Sequence, residues 1–223
     1  MRGGGGVETQ RVKKQQTPLL KDQAYEIIKE HILYERFEPG RFLSERELID
    51  LLEMSKTPIK SALVRLETEG FVTVSSKQGI IVNDLSIDRI ADIYNLRIAL
   101  ETYTCAQVTG KLTESQCQRI EENIAETQEK AEQLDIKGFT IADHAFHLLI
   151  CESSGNQEIY RVLLNYQDQL KRITIRHLKK DPQRMKLFTQ EHVEIYQNLK
   201  NGDLKCVEQI AKHLQDSKQK LLY

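Results

Sequence analysis

The feature that most constrains this fold is a run of three helical patterns followed by two short β-branched segments, all within residues 20–82. Apolar residues at helical spacing predict a first helix that begins at Leu20 and ends before the turn at residues 38–40. Ser44 and Glu47 form a capping-box pattern, in which each side chain would bond the other's backbone amide, at the start of a second helix. The predicted buried stripe of that helix is Leu48, Leu51 and Leu52.

The third helix is predicted to follow a break at residues 54–56 and to run to Gly70. Thr57 is expected to cap it, with Pro58 at the first helical position, where proline's missing N–H has no cost. Because its apolar residues recur every three to four positions, its basic side chains must point away from the core. The sequence contains no acidic residue between Met54 and Leu66. The apolar stripe is Ile59, Ala62, Leu63 and Leu66.

The β-branched segments at residues 71–76 and 80–82 predict a two-stranded hairpin with a basic tip at Lys77-Gln78-Gly79. Three helices and a hairpin form a winged helix-turn-helix. In such a fold the second helix of the helix-turn-helix, here the third predicted helix, enters the DNA major groove. We assign this unit to residues 17–84. Residues 1–16, which include four consecutive glycines, are predicted to be a flexible tail.

Beyond Ile87 every long segment has helical periodicity, and we find no further strand candidate. The fold is therefore predicted to be mainly α: a winged helix-turn-helix (17–84) followed by an all-α bundle of six or seven helices (85–223). Turn signals divide the bundle into six segments. These are expected at about 87–109, 114–134, 137–153, 157–179, 183–200 and 204–222.

Charge and cysteine usage narrow the function classes. The formal net charge of −1 argues against a protein that coats nucleic acid without selectivity, so any DNA contact must depend on local cations. Four scattered cysteines without a C-x-x-C pair indicate reduced thiols. Because no signal-peptide pattern or membrane-length apolar run is present, the sequence predicts a cytoplasmic protein with no membrane partner.

Residues 17–82 resemble the GntR family of bacterial transcription regulators. The matching features are SKTPIK at the start of the third helix, ALVRL within it, EG at its end, and a glycine in the wing. Lys56 and Lys60 depart from the family pattern, which usually has arginine, and a lysine lacks the planar fork that pairs with guanine. Lys56 and Lys60 would therefore give a weaker preference for guanine, or they would contact phosphates instead of bases. Alternatively, they are simply the solvent-exposed face of an amphipathic helix. The resemblance implies DNA contacts by Arg46, Lys56, Thr57, Lys60, Arg65, Gln78 and Gly79.

A second constellation lies in the helical region. Asp143 and His147 are four residues apart and share one helix face, while His192 and His213 are on later helices. One carboxylate and three imidazoles suit zinc, nickel or a similar divalent transition metal, and the general affinity order does not choose among them. Asp143 and His147 alone would be an ordinary i, i+4 pair.

The segments DHAFH, EHVEIY and KHLQD occur in the order and at the intervals of the metal-binding FCD effector domain of FadR-like GntR regulators, and residues 86–222 resemble that domain. The resemblance implies a metal site, zinc first and nickel second, at Asp143, His147, His192 and His213. It also implies that Arg97 and Asn156 face the effector. An arginine beside a metal would suit a small carboxylate such as an organic or sugar acid. Arg97 could instead form a plain ion pair with Glu101.

The expected function is a transcription regulator, a repressor or an activator, whose binding to double-stranded operator DNA is controlled by this small carboxylate effector. A homodimer reading a palindromic site is implied. One alternative is a regulator for which the ion itself is the signal. The other is a metal-dependent hydrolase. The DNA-binding unit argues against a hydrolase, and so does the lack of an H-E-x-x-H motif or a nucleophile elbow. We therefore expect no enzyme activity.

Overall fold

The computed structural model describes residues 18–75 and 79–222, so the predicted tail and Gln78 lie outside the described residues. Within these ranges, no helix combines the length and apolar character that crossing a membrane requires. The N-terminal part contains the elements α1 (Leu20–Leu33), β1 (Phe42–Leu43), α2 (Glu45–Leu52), α3 (Lys56–Thr68), β2 (Val72–Ser75) and β3 (Gly79–Val82).

These elements form a winged helix-turn-helix around one apolar core. The whole predicted stripe of α3 is buried, and it packs against Ile28 and Ile32 of α1 and Leu48 of α2. The wing is an antiparallel sheet of three described strands in the order β1-β3-β2, with Ile80 paired to Leu43 on one side and to Val74 on the other. The hairpin was predicted, but β1 was missed because two residues are too few for a visible alternation.

Gly79 begins β3 with a positive φ of 86°. A Cβ at this position would lie 2.9 Å from the carbonyl oxygen of Leu43. Gly79 therefore allows β1 and β3 to approach closely, which explains a glycine at this point of the wing without any DNA contact.

Three local predictions for this part are corrected. The Glu47 carboxylate accepts a hydrogen bond from Arg41 at 2.6 Å, and only the Ser44 half of the capping box is formed. Leu51 is exposed because α2 is short and buries little more than Leu48. Helix α3 begins at Lys56, with Ser55 rather than Thr57 at the N-cap and Pro58 at the third helical position, where its backbone nitrogen still needs no partner.

The C-terminal part is a bundle of seven helices within the described residues. They are α4 (Ile87–Val108), α5 (Glu114–Glu132), α6 (Ile136–Ser153), α7 (Gln157–Asn165), α8 (Gln167–Lys180), α9 (Arg184–Asn201) and α10 (Lys205–Leu222). The segment predicted as one helix at 157–179 is divided at Tyr166, which separates α7 from α8 and whose φ of −97° and ψ of 0° depart from ideal helical values. No glycine or proline marks this break.

The bundle places α6 against α4, α5, α8 and α9, while α10 packs on α4 and α9. Phe146 and Ile150 of α6, Ile195 of α9 and Ile210 of α10 are fully or almost fully buried in the main apolar cluster. The inward faces of α4, α6, α9 and α10 therefore converge on one region, which contains the candidate metal site.

Ion pairs connect the two parts of the chain. Arg176 of α8 donates to Glu35, just after α1, at 2.7 Å and to Asp84 at 2.9 Å. Lys29 of α1 pairs with Asp168, and Lys137 of α6 reaches Glu30 at 2.6 Å. Helix α1 thus packs against α8, the helix that also carries residues next to the candidate metal site.

Candidate metal centre and DNA interface

Asp143, His147, His192 and His213 come together in the bundle. Each offers one ligand atom, and these four atoms all lie within 4.8 Å of one another. Asp143 and His147 project from α6, His192 from α9 and His213 from α10, and all four side chains are buried. The cluster therefore depends on the tertiary packing of three helices.

Two of the histidines are oriented by carboxylates. His147 Nδ1 lies 2.7 Å from Glu101 Oε2, and His213 Nδ1 lies 2.6 Å from Glu191 Oε2. A carboxylate accepts hydrogen bonds, so it favours the proton on Nδ1 and leaves the lone pair on Nε2. Carboxylates commonly orient metal-binding histidines in this way. From the sequence, Glu101 was considered only as a partner for Arg97. The sequence contains no signal that Glu191 would bond to His213 rather than lie beside its neighbour in the chain, His192.

His192 and Asp143 lack hydrogen bonds in the middle of this cluster. Among the described residues, neither ring nitrogen of His192 nor Oδ1 of Asp143 has a hydrogen-bond partner. His192 Nε2 and Asp143 Oδ1 are 3.6 Å apart, which is beyond a good hydrogen bond. The His192 ring stacks on Phe146, with centroids 4.0 Å apart. Buried polar atoms are costly without partners, and a cation between these groups would supply one. The donor set thus fits a metal.

Burial also sets the protonation of the cluster. It lowers the pKa of His147, against the opposing effect of Glu101, and it lowers the pKa of His192 well below 6.5. Neutral imidazoles are the form that binds metals. Burial raises the pKa of Asp143, although His147 and His213 oppose this. For Glu101, burial would raise the pKa, but Arg97 and His147 outweigh it and lower the pKa to about 2.

A cavity of about 20 Å³ adjoins the cluster, and Arg97 lines it together with Asp143, His147 and His213. Arg97 is buried, and its Nε donates to Glu101 Oε1 at 2.7 Å. The two sequence interpretations of Arg97 are compatible, because Arg97 forms the ion pair with Glu101 and also lines the cavity. Tyr94, whose pKa burial raises to about 12, is a further lining residue that the sequence did not indicate.

Asn156 does not belong to this cavity. It occupies the N-cap of α7, where its exposed side chain accepts a hydrogen bond from the backbone N–H of Ile159 at 3.1 Å. The expectation that Asn156 faces the effector is corrected to a capping role, the usual role of asparagine at this position.

The candidate DNA-binding surface lies at the start of α3. Lys56, Thr57 and Lys60 are exposed there, and both lysines share one carboxylate, with Lys56 Nζ 2.6 Å and Lys60 Nζ 3.7 Å from Glu45. Arg46 is almost fully exposed and lies 3.9 Å from Asp50. Exposed ion pairs contribute little free energy, so these cations can exchange their carboxylates for phosphates.

Arg65 is set apart from this surface. Its guanidinium carbon lies 3.6 Å from the ring centroid of Tyr25, and its Nε donates to Glu69 at 3.1 Å. Arg65 follows Lys56 by nine residues, which is about half a turn beyond two full turns of helix. The structure thus places Arg65 against α1 rather than beside Lys56 and Lys60.

An N-terminal winged helix-turn-helix and a C-terminal bundle with a buried acid–histidine cluster define the class of protein: a DNA-binding transcription regulator with a ligand-binding C-terminal domain. The family comparisons agree. Residues 20–82 match the gntR family of bacterial regulatory proteins, and residues 92–216 match the FCD domain. The chain belongs to the GntR family and to its FCD-containing group, whose members are regulators and not enzymes.

Among curated proteins, the chain is 26% identical over 204 residues to the HTH-type transcriptional repressor RspR of Escherichia coli K12, covering 90% of this chain and 88% of that protein. It is 27% identical over 135 residues to the Nta operon transcriptional regulator of Aminobacter aminovorans, covering 60% and 64%. Among solved structures, a GntR regulator from Rhodococcus sp. RHA1 has a TM-score of 0.75 at 20% identity, covering 91% and 97%. The structure of E. coli McbR/YncC has a TM-score of 0.74 at 21% identity, covering 92% and 98%. These two structures support the fold.

Proposed function

We propose that the protein regulates transcription by binding a palindromic operator as a homodimer, under the control of a divalent transition metal and a small carboxylate in the C-terminal bundle. The metal and effector part of this proposal depends on one observation about His192 and Asp143. Both side chains are buried, and neither ring nitrogen of His192 nor Oδ1 of Asp143 has a hydrogen-bond partner among the described residues. We divide the chain at residue 84, immediately before the bundle.

The metal would be held by Asp143, His147, His192 and His213, with Glu101 and Glu191 orienting two of the imidazoles. We favour zinc, with nickel second, because three imidazoles and a carboxylate are a borderline donor set. When bound, the ion would supply a positive charge that attracts an anionic group into the cavity. Zinc is therefore proposed as a structural and ligand-binding cofactor.

Arg97 supports a carboxylate as the effector. It is the cation of the cavity lining, and its Nε is already held by Glu101, which fixes the orientation of the guanidinium plane. A fixed guanidinium can pair with a carboxylate through two parallel hydrogen bonds. The cavity of about 20 Å³ is small for an organic acid. Effector binding therefore has to displace lining side chains, and that displacement is the conformational signal.

Operator contacts are proposed for Lys56, Thr57 and Lys60 at the exposed start of α3, and for exposed Arg46 at the start of α2. Lysines bind phosphates as point charges and specify bases less well than arginines do. Sequence preference would therefore depend partly on Arg46 and on the wing. RspR is named a repressor, and we propose repression here as well.

A second candidate is a metal-responsive regulator in which the ion itself is the signal. The cavity volume favours it, since about 20 Å³ accommodates an ion or one water molecule but no larger ligand. The two candidates differ in metal exchange. A cofactor remains bound through extensive dialysis, whereas a signal must leave and return at cellular concentrations.

The testing experiment selects an operator from a random DNA library and measures its affinity for zinc-loaded protein, for metal-free protein, and for zinc-loaded protein with a panel of small carboxylates. A carboxylate that changes operator affinity only when zinc is bound supports the first candidate. A response to zinc alone, with no carboxylate effect, supports the second. Equal affinity under all conditions contradicts both.

A further inference from the structure

A second cavity, of about 270 Å³, lies between α8, α9, the end of α10 and the segment that joins the two parts of the chain. Five basic side chains line it, and Asp181 is the acidic residue that also contributes to the lining. The basic residues are Arg172, Arg176, Lys180, Arg184 and Lys220. Three of them are spaced by four residues along α8, so they share one helix face. A small anion would therefore meet a strong excess of positive charge here.

Two of these arginines are buried without full hydrogen bonding. Arg172 is 2% exposed and Arg184 is 6% exposed. Among the described residues, Arg172 Nε and Nη2 and Arg184 Nε have no hydrogen-bond partner, and neither has Nε2 of His177, which also lines the cavity. Arginine does not lose its proton at physiological pH, so the cost of burying these donors is not relieved by deprotonation.

Nearby side chains leave most of this charge unmatched. Arg176 is neutralised by Glu35 and Asp84. Arg184 stacks on Phe188, with the guanidinium carbon 4.9 Å from the ring centroid, which does not satisfy Nε. Burial lowers the pKa of Arg172, and neighbouring Arg176 lowers it further, as expected of a cation short of counter-charge. The chain thus retains a costly arrangement that an anionic ligand would stabilise.

We propose that this cavity is a binding site for a small phosphorylated metabolite, with Arg172 and Arg184 holding its phosphoryl group. A phosphoryl group carries a charge of about −1.5 to −2 and three acceptor oxygens, which suits several converging guanidinium and ammonium donors. The site is separate from the metal cavity, because Arg172 and Arg184 do not line that cavity; His177 lines both. Leu85 and Ile90 also line the second cavity, so a bound ligand would contact the connection to the DNA-binding part.

The experiment uses inorganic phosphate as the probe on the full-length, zinc-loaded protein at constant ionic strength. Binding is measured by calorimetry and by the rise of the unfolding midpoint with phosphate concentration. Wild type is compared with Arg172→Gln, Arg184→Gln and the control Lys186→Gln. The control removes one positive charge from an exposed position of the same helix as Arg184.

We expect wild type and Lys186→Gln to bind phosphate alike, and each arginine variant to bind at least about tenfold more weakly. Equal binding by the arginine variants would overturn the proposal, because phosphate would then bind elsewhere, including at the metal. An equal loss of phosphate affinity in Lys186→Gln would mean that the overall charge of the protein causes the effect, and this would overturn the proposal. Absence of phosphate binding by wild type would also overturn the proposal. Zinc content of the variants is measured in parallel, so a failure of the metal site is recognised separately.

A further variant separates ligand binding from a structural role. Arg172→Met keeps the length of the side chain and removes its unpaired charge. In phosphate-free buffer its unfolding midpoint should equal or exceed that of wild type, while the rise with phosphate disappears. A clear fall of the phosphate-free midpoint would mean that Arg172 stabilises the fold itself, and the proposal would be wrong.

Discussion

Glu101 and His147 face each other across α4 and α6, with Glu101 Oε2 2.7 Å from His147 Nδ1. The other carboxylate oxygen of Glu101 accepts a hydrogen bond from Arg97 at 2.7 Å. One buried carboxylate thereby orients both a candidate metal ligand and the candidate effector-binding arginine. Any change in Arg97 on effector binding would reach His147 through this single group.

A weaker metal affinity is expected when a carboxylate that orients a ligand is removed. Glu191→Gln takes away the charge that orients His213, and we predict a loss of zinc affinity of about 10- to 100-fold. A chelator competition titration measures this. Glu194→Gln, on an exposed position of the same helix, is the control and should bind zinc as wild type does. Unchanged affinity in Glu191→Gln would exclude this orienting role.

The stability of the metal-free protein should fall as the pH decreases below about 6.5. Burial lowers the pKa of His144, His147 and His192, so in this range the unfolded chain binds more protons than the folded chain does. Each histidine would contribute up to about 1.4 kcal/mol per pH unit to the decline. Asp143 acts in the opposite direction, because its folded-state pKa is raised.

Urea unfolding between pH 7 and pH 5 measures this effect. Glu101 does not interfere, since its pKa is lowered to about 2 and its stabilising contribution is lost only between about 4.5 and 2. Because three histidines outnumber the one opposing carboxylate of Asp143, a free energy of unfolding that is constant or that rises toward pH 5 would show that these histidines are not all buried in the neutral form.

Operator binding should weaken in Lys60→Ala, and the slope of log affinity against log salt should flatten by about 0.9, the value for one phosphate contact. Fluorescence anisotropy over a range of salt concentrations measures both quantities. Lys111→Ala, an exposed lysine after α4, is the control. If affinity and slope in Lys60→Ala match those of wild type, Lys60 lies outside the DNA interface.

Removal of Glu45 should have the opposite effect. This partly exposed carboxylate pairs with both Lys56 and Lys60, and the hydrogen bond from Lys56 lowers its pKa against the opposing effect of burial. Glu45→Gln would release both lysines for phosphate and is predicted to strengthen operator binding about two- to fivefold, as expected for exposed ion pairs. Glu114→Gln, at the exposed start of α5, makes the same change of net charge and should have a much smaller effect. Equal gains in both variants would attribute the effect to net charge alone.

The sequence predicted those features that depend on local periodicity. The α3 stripe from Ile59 to Leu66 and the shared face of Asp143 and His147 could be found because helical geometry fixes which side chains lie together. His192 and His213 lie on other helices, and only the resemblance to the FCD domain joined them to the site. The break at Tyr166 could not be found, since α7 and α8 are separated by their packing and not by a helix-breaking residue. Strand β1 exists only because Phe42 and Leu43 pair with β3.

Side-chain partnerships between helices were also beyond the sequence. Glu191 serves His213 on the next helix rather than its own neighbour, and nothing in the local pattern indicates this. Asn156 matched a family pattern but caps α7. The cavity around Arg172 could have been suspected from basic residues at four-residue intervals on α8, although such a pattern is usually a solvated face.

Elemental analysis of the purified protein determines whether His192, together with Asp143, His147 and His213, holds a metal ion. We predict about one zinc or other divalent transition-metal ion per chain in wild type and in His31→Ala, whose histidine lies in α1. His192→Ala should retain its helical circular dichroism but lose the ion. Wild-type protein that contains no transition metal after zinc loading, or a His192→Ala variant that retains as much metal as wild type, would show that these four residues do not form a metal site.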